Sequence, residues 1–272
     1  MEGRTAPVDP RDAATVILLR DDRVGDGAGG SAGAGVLAYM LRRAASMAFA
    51  PGAYVFPGGG VDPRDRDREV GWAGPSPREW GETLNAEPAA ARALVCAAVR
   101  ETFEESGVLL AGPTSDSVVD DTRDDSWEAD RQALLDRSQS LAEFLQRRGL
   151  VLRSDLLRPW ARWVTPVIEP RRYDTRFFVA AMPAGQRTRD VGGEADTVAW
   201  VRPAEALAAW RAREMMLLPP TAVTLNEVGA CGSVGASLDA DRTGAMAPRM
   251  PGIDKVGDKL WLTAPEGVDY PL

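Results

Sequence analysis

Short apolar runs separated by polar or glycine-rich stretches predict a protein rich in β-strands. Residues 13–20 and 36–41 are almost wholly apolar, and the glycine-rich stretch 21–35 between them predicts a hairpin loop. Similar runs predict a short third strand at 53–56 and further strands at 163–167, 175–181, 197–201 and 259–263. None of these runs is long enough to cross a membrane, which takes about 20 apolar residues.

Helical patterns alternate with these strands. The clearest covers 88–106, which is rich in alanine, begins with a proline suited to a first turn and is followed by a glycine suited to a C-terminal cap. Further helices are predicted near 77–84, as one or two helices within 127–148, and at 203–213 and 221–228. This order of elements predicts an α/β sandwich around a mixed sheet.

Composition divides the chain into a main domain and its flanks. Residues 1–12 are polar and are predicted to be disordered, 13–230 form the domain, and 231–272 form a C-terminal extension that packs on it. The run 57–60, one proline and three glycines, is expected to exclude regular structure. Residues 62–87 mix charges with proline and glycine and are predicted to be an exposed insertion.

Charge and composition exclude several classes of function. The chain has 272 residues, a net charge of −8, two cysteines and no histidine. The acidic balance disfavours nucleic-acid binding, and the absence of histidine excludes Ser-His-Asp triads and histidine-bound metals. We expect a soluble, cytoplasmic protein that binds no membrane, with any metal chemistry left to carboxylates.

Three glutamates lie at helical spacing near the end of the long predicted helix. Glu101, Glu104 and Glu105 fall within about 100° of arc on one helix face. Like charges at this spacing repel one another, and a hard cation such as Mg²⁺ or Mn²⁺ would remove the repulsion. A solvated acidic helix face is the other interpretation of the same run.

A glycine run upstream, Phe56-Pro57-Gly58-Gly59-Gly60, is typical of a loop whose backbone approaches a phosphate closely, although such a run is also typical of a turn. Together the two segments resemble the signature of the Nudix hydrolases. That signature is a glycine, five residues, a glutamate, seven residues and then Arg-Glu-U-x-Glu-Glu-x-Gly-U, where U is apolar. Arg100 to Val108 match its second half, with Thr102 at an apolar position.

Gly59 fits the opening glycine but lies far upstream of Arg100, so the motif holds a long insertion. Arg92 stands where counting back from Arg100 places the first glutamate. The insertion, the stretch 41–52 and the segments 163–166 and 171–178 are similar to the coenzyme A diphosphatase subgroup. We expect the insertion to shape substrate access and not to carry chemistry.

The resemblance implies a Nudix α/β/α sandwich and a catalytic helix that binds Mg²⁺ or Mn²⁺. It implies Glu101 and Glu105 as metal ligands, with Glu104 as a third ligand or as the base. Arg100 would orient a glutamate, its alternative being a surface arginine. Glu194, in a loop before a strand, is a candidate base or an ordinary loop residue, and Glu169 is a weaker competitor.

The implied reaction is hydrolysis of a diphosphate bond in a small nucleotide-like substrate, with CoA or acyl-CoA favoured. Gly58, Gly59, Arg42 and Arg43 are the candidate substrate-binding residues, and the two arginines equally fit an exposed strand end. ADP-ribose or a dinucleotide is the alternative substrate, and a catalytically silent nucleotide sensor is the alternative function. A homodimer is a further expectation.

Overall fold

The computed structural model describes residues 8–22, 35–46, 50–67, 69–189, 195–256, 259–263 and 265. Its strands are β1 (Arg11–Asp21), β2 (Val36–Arg43), β3 (Tyr54–Val55), β4 (Gly58–Gly60), β5 (Trp72–Ala73), β6 (Ala111–Gly112), β7 (Val151–Arg153), β8 (Arg158–Val164), β9 (Tyr173–Ala181), β10 (Ala195–Val201), β11 (Pro248–Arg249), β12 (Gly252–Val256) and β13 (Lys259–Thr263). Its helices are α1 (Pro77–Leu84), α2 (Pro88–Ser106), α3 (Asp125–Leu135), α4 (Leu141–Arg148), α5 (Pro203–Arg211), α6 (Pro219–Cys231) and α7 (Val234–Leu238), with 3₁₀ turns at Pro63–Arg66 and Ser154–Leu156.

A mixed sheet with the strand order β10-β2-β1-β9-β8-β11 forms the centre. β1 pairs antiparallel with β2 and parallel with β9, so the predicted hairpin and the mixed sheet are both confirmed. β3 adds to β2, and β4 adds to the first half of β1. The sheet therefore forks at β1, whose two halves hold different antiparallel neighbours.

Alternating side chains of β1 reach two separate apolar cores. Val16 and Leu18 pack into the core that contains α2, whereas Ile17 and Leu19 pack into the core that contains α5 and α6. Successive side chains of a strand point to opposite faces, so a wholly apolar strand must be covered on both sides. The result is the three-layered α/β/α arrangement expected from the sequence.

Local signals set the bounds of α2. Pro88 occupies its first turn, and Gly107 ends it in the left-handed conformation at φ 72°, where its N–H donates to the carbonyl of Phe103. Both ends agree with the bounds predicted from the sequence, so the three glutamates lie on the last two turns of a continuous helix.

Two expectations about the segment between the glycines and α2 were wrong. The glycine run is regular structure, because Gly58, Gly59 and Gly60 pair antiparallel with 13–15 of β1. The insertion is not merely exposed either, because α1 buries Trp80 and Leu84 in the first apolar core. Glycine was taken as a strand breaker, but here a neighbouring strand supplies the pairing.

The C-terminal extension packs on the domain within the described residues. Val234 of α7 joins the second core, Ala245 and Met246 join the first, and β11 pairs parallel with β8. The part of the chain that the structure describes contains no helix long and apolar enough to cross a membrane.

Candidate active site

The last two turns of α2 lie against the strand of glycines. The N–H of Gly58 donates a 2.8 Å hydrogen bond to Oε2 of Glu105. A Cβ added to Gly59 would lie 2.5 Å from Oε1 of Glu101, so a larger residue there would displace that carboxylate. The two halves of the sequence motif, far apart along the chain, therefore meet in space.

Arg100 ties two of the three glutamates together. One of its terminal nitrogens donates to Oε1 of Glu101 at 2.8 Å and to Oε2 of Glu104 at 3.1 Å. The other donates to the carbonyl of Gly60 at 3.1 Å. Burial by itself would lower the pKa of Arg100, but its contacts with the carboxylates raise that pKa, so the guanidinium stays charged.

Asp65 completes this network and was missed in the sequence. Its carboxylate accepts two hydrogen bonds from Arg100, at 3.0 Å from Nε and at 2.9 Å from the terminal nitrogen that also contacts Gly60. It is 2% exposed. A signal existed, because Asp65 follows Gly59 with five residues between them, the spacing at which the Nudix signature has its first glutamate. Counting back from Arg100 reached Arg92 instead, since the insertion falls after this acidic position.

The pKa values of two glutamates are raised by their surroundings. Burial is the main cause of a pKa of about 7 for Glu101, helped by the charge of Glu104 and opposed by Arg100. Burial likewise raises the pKa of Glu104. Placing these carboxylates in a poorly solvated site penalises their charged forms unless a cation is near.

The chemistry of these side chains fits a hard divalent cation. Carboxylate oxygens are the ligands that Mg²⁺ and Mn²⁺ prefer, and Oε1 of Glu104 is buried without a hydrogen-bond partner. Within the described ranges, no three Asp, Glu, Cys or His side chains are grouped closely enough to be a ready-made metal site. Arg100 engages one oxygen each of Glu101 and Glu104, which leaves the second oxygen of Glu104 for another partner.

A cleft of about 1140 Å³ opens over the carboxylates. Its walls include all three glutamates of the helix, the three glycines of β4 and Glu169. Of the two candidate arginines on β2, Arg43 lines the cleft, while Arg42 is exposed and absent from its described walls. Adjacent residues of a strand point to opposite faces, which explains why only one of the pair turns toward the site.

Helix α3 supports the carboxylate-bearing turn from a second side. Arg131 is 2% exposed and donates a 2.7 Å hydrogen bond to the backbone carbonyl of Glu104. Its other nitrogens donate to both oxygens of Glu128 at 2.9 and 2.6 Å. The candidate base Glu194 lies outside the described residues.

Known proteins resemble this chain in sequence and in fold. A family model described as the NUDT19 Nudix domain matches residues 76–228, more than half of the chain. Acyl-coenzyme A diphosphatase NUDT19 of Xenopus laevis is 25% identical over 66% of this chain, and that of Gallus gallus is 27% identical over 66% of it. The chain spans only 56% and 58% of the lengths of these two relatives.

A solved structure supports the same assignment. The Nudix hydrolase of Alicyclobacillus acidocaldarius aligns with a TM-score of 0.69 and 29% identity, over 85% of this chain and 96% of that one. The fold, the strand of glycines and the helix that carries the three glutamates are consistent with this assignment. The chain belongs to the Nudix hydrolase family, in the group described by the NUDT19 Nudix domain.

Proposed function

We propose that this protein hydrolyses the diphosphate bond of CoA or an acyl-CoA in a reaction that depends on Mg²⁺ or Mn²⁺. The observation that carries the proposal is the meeting of Glu101, Glu104 and Glu105 with the glycine strand in one large cleft. The choice of substrate is supported by the relatives, whose names describe them as acyl-coenzyme A diphosphatases.

Glu101 and Glu105 would hold the cation, with Glu104 as a third ligand or as the base. A divalent cation bound there would offset negative charge on the diphosphate and lower the pKa of the attacking water. Glu104 suits either role, because its pKa is raised by burial and one of its oxygens is unpartnered.

The remaining residues would orient the glutamates or bind the substrate. Arg100 keeps Glu101 and Glu104 in place and is itself fixed by Asp65. The backbone at Gly58 and Gly59 comes close to the carboxylates and gives a diphosphate room to approach them. Glu194 stays a proposed base.

Arg43 is the proposed reader of the 3′-phosphate that distinguishes CoA from most other diphosphate substrates. It lines the cleft from β2, and a guanidinium matches the geometry of a phosphate. A homodimer and a cytoplasmic location stay predictions from the sequence.

A substrate screen tests the proposal. Purified protein would be incubated with CoA, acetyl-CoA, ADP-ribose, NADH and diadenosine polyphosphates, with Mg²⁺, with Mn²⁺ and with chelator. We expect metal-dependent conversion of CoA or acetyl-CoA, with adenosine 3′,5′-bisphosphate as one product by mass spectrometry. Preference for ADP-ribose would reject the CoA assignment and keep the Nudix chemistry, while inactivity on every diphosphate would favour a nucleotide-sensing domain.

A further inference from the structure

An arginine with an unusual backbone conformation lies at the C-terminal end of α3. Arg137 has a φ of 62°, in the left-handed region. Helices commonly end on a residue in this conformation, but glycine or asparagine is favoured there, because a Cβ makes it costly by about 1 kcal/mol. A long side chain at this position is a reason to ask what the side chain does.

Asp62 and Arg64, between the glycine strand and Asp65, hold this turn in place. A terminal nitrogen of Arg64 donates to the carbonyl of Arg137 at 2.8 Å and to that of Gln139 at 3.4 Å. Arg64 is in turn fixed by Asp62, whose two oxygens accept hydrogen bonds at 2.9 and 3.1 Å. The backbone of Arg137 is thus anchored by Arg64, which lies four positions after the end of the glycine strand.

The side chain of Arg137 is well exposed at the active-site cleft. It lines the same cleft as the three glutamates and is 77% exposed. Its contact with Asp62 is long, at 3.8 Å. Two other arginines of the cleft differ, because Arg100 and Arg131 are buried and committed to carboxylates and backbone carbonyls.

We propose that Arg137 is a substrate-binding residue that contacts a phosphate oxygen of the diphosphate held at the glutamates. The inference rests on the proposed function and adds a specific anion contact to it. A guanidinium on an anchored backbone beside the proposed metal ligands is suited to donating two hydrogen bonds to a phosphate.

A glycine variant separates the effect of removing the Arg137 side chain from the effect of disturbing its backbone conformation. Arg137→Gly keeps the left-handed turn accessible, so its melting temperature should not fall below that of the wild type. Arg213→Gly is the matched control, because Arg213 has a φ of 63°, follows α5 and does not belong to the described walls of the cleft.

The readout is calorimetric binding of inorganic pyrophosphate in Mg²⁺-containing buffer, which does not depend on turnover of CoA. Arg137→Gly should weaken binding by about tenfold, with Arg137→Lys in between and Arg213→Gly equal to wild type. Equal binding by Arg137→Gly and wild type, or no binding by the wild type, would overturn the inference.

Activity assays on the same proteins distinguish a failure of the Arg137 contact from a failure of the proposed hydrolase function. If wild type hydrolyses CoA with Mg²⁺ while pyrophosphate binding is unaffected by Arg137→Gly, only the contact is wrong. If wild type hydrolyses no diphosphate at all, the proposed function is wrong as well.

Discussion

Asp65 and Arg100 are two buried charges that compensate each other at the base of the active site. Removing Asp65 takes away two hydrogen bonds to the buried guanidinium while Glu101 and Glu104 still offset its charge, so the cost should be about 1.5–3 kcal/mol. We expect Asp65→Ala to lower the free energy of unfolding by about that amount and Asp65→Asn to lower it less, since the amide still accepts a hydrogen bond from Arg100. Urea denaturation measures both, with Glu82→Ala, at an exposed position of α1, as the control.

One outcome of the same experiment would contradict this prediction. If Asp65→Ala unfolds at the same urea concentration as Glu82→Ala, the ion pair with Arg100 does not stabilise the folded protein. The position of Arg100 would then have to be set by Glu101, Glu104 and the carbonyl of Gly60.

Glu105 is the residue on which metal-dependent activity should depend most clearly. Its Oε2 accepts the N–H of Gly58, and a glutamine oxygen can accept the same bond, so Glu105→Gln should fold normally. It loses a negative charge that would bind the cation, and kcat should fall by orders of magnitude. A melting curve checks that the variant folds, and steady-state kinetics with CoA and Mg²⁺ measures the fall in kcat. A near-normal kcat in a folded variant would contradict the assignment of Glu105 as a metal ligand.

At the scale of secondary-structure elements, the sequence correctly predicted the features that depend on neighbouring residues in the chain. The bounds of α2 follow from Pro88 and Gly107, and the glutamate spacing on it follows from helix geometry. The strand at Gly58–Gly60 and the pairing of Asp65 with Arg100 depend on contacts between distant segments. Neither composition nor periodicity indicates these long-range contacts, although the five-residue spacing between Gly59 and Asp65 could have identified Asp65 as the acidic residue of the motif.

The insertion provides the prediction at this scale. Trp80 of α1 is 3% exposed and packs edge-on to Phe178 of β9, with ring centroids 5.8 Å apart. Trp80→Ala should therefore cost about 3–5 kcal/mol of folding stability, because it empties a large space in the core. The neighbouring Arg78, exposed on the same helix, offers Arg78→Ala as the control in chemical denaturation.

Replacing residues 69–87 with a flexible linker should accordingly unfold or severely destabilise the protein. A linker variant that keeps wild-type stability would show that α1 does not stabilise the domain, as expected of the exposed insertion predicted from the sequence. A change in substrate preference could then be assigned to the insertion itself.

On the scale of the whole molecule, ion pairs between distant segments should shape the response to acid. Glu128 accepts hydrogen bonds from Arg131 on its own helix and from Arg189 beyond β9, at 2.6 Å in both cases. Its bond with Arg131 is the main cause that lowers its pKa from 4.5 to about 2. The stabilisation is thus present above pH 4.5 and is lost as the pH falls toward 2.

Glu128→Gln should lower stability at pH 7 by about 1 kcal/mol, a modest figure because Glu128 is partly exposed and solvent screens the pair. The difference from wild type should shrink on acidification through this range. Urea denaturation at pH 7 and pH 3 tests the trend, because urea carries no charge that would screen the pair. A constant difference would show that the mutation acts through something other than this charge.

The shape of the cleft and the direction of β2 lead to the prediction about substrate choice. Arg43 lines the cleft, whereas its neighbour Arg42 does not belong to the described walls, so the two provide a matched pair of arginines on one strand. We expect wild type to prefer CoA over 3′-dephospho-CoA, because a guanidinium stabilises the added phosphate by a charge-assisted contact. Arg43→Ala should lose this preference and still cleave 3′-dephospho-CoA, while Arg42→Ala should retain it, as measured by kcat/KM for both substrates. If wild type treats the two substrates alike, the 3′-phosphate is not read, and the selectivity for CoA must come from the pantetheine arm or be absent.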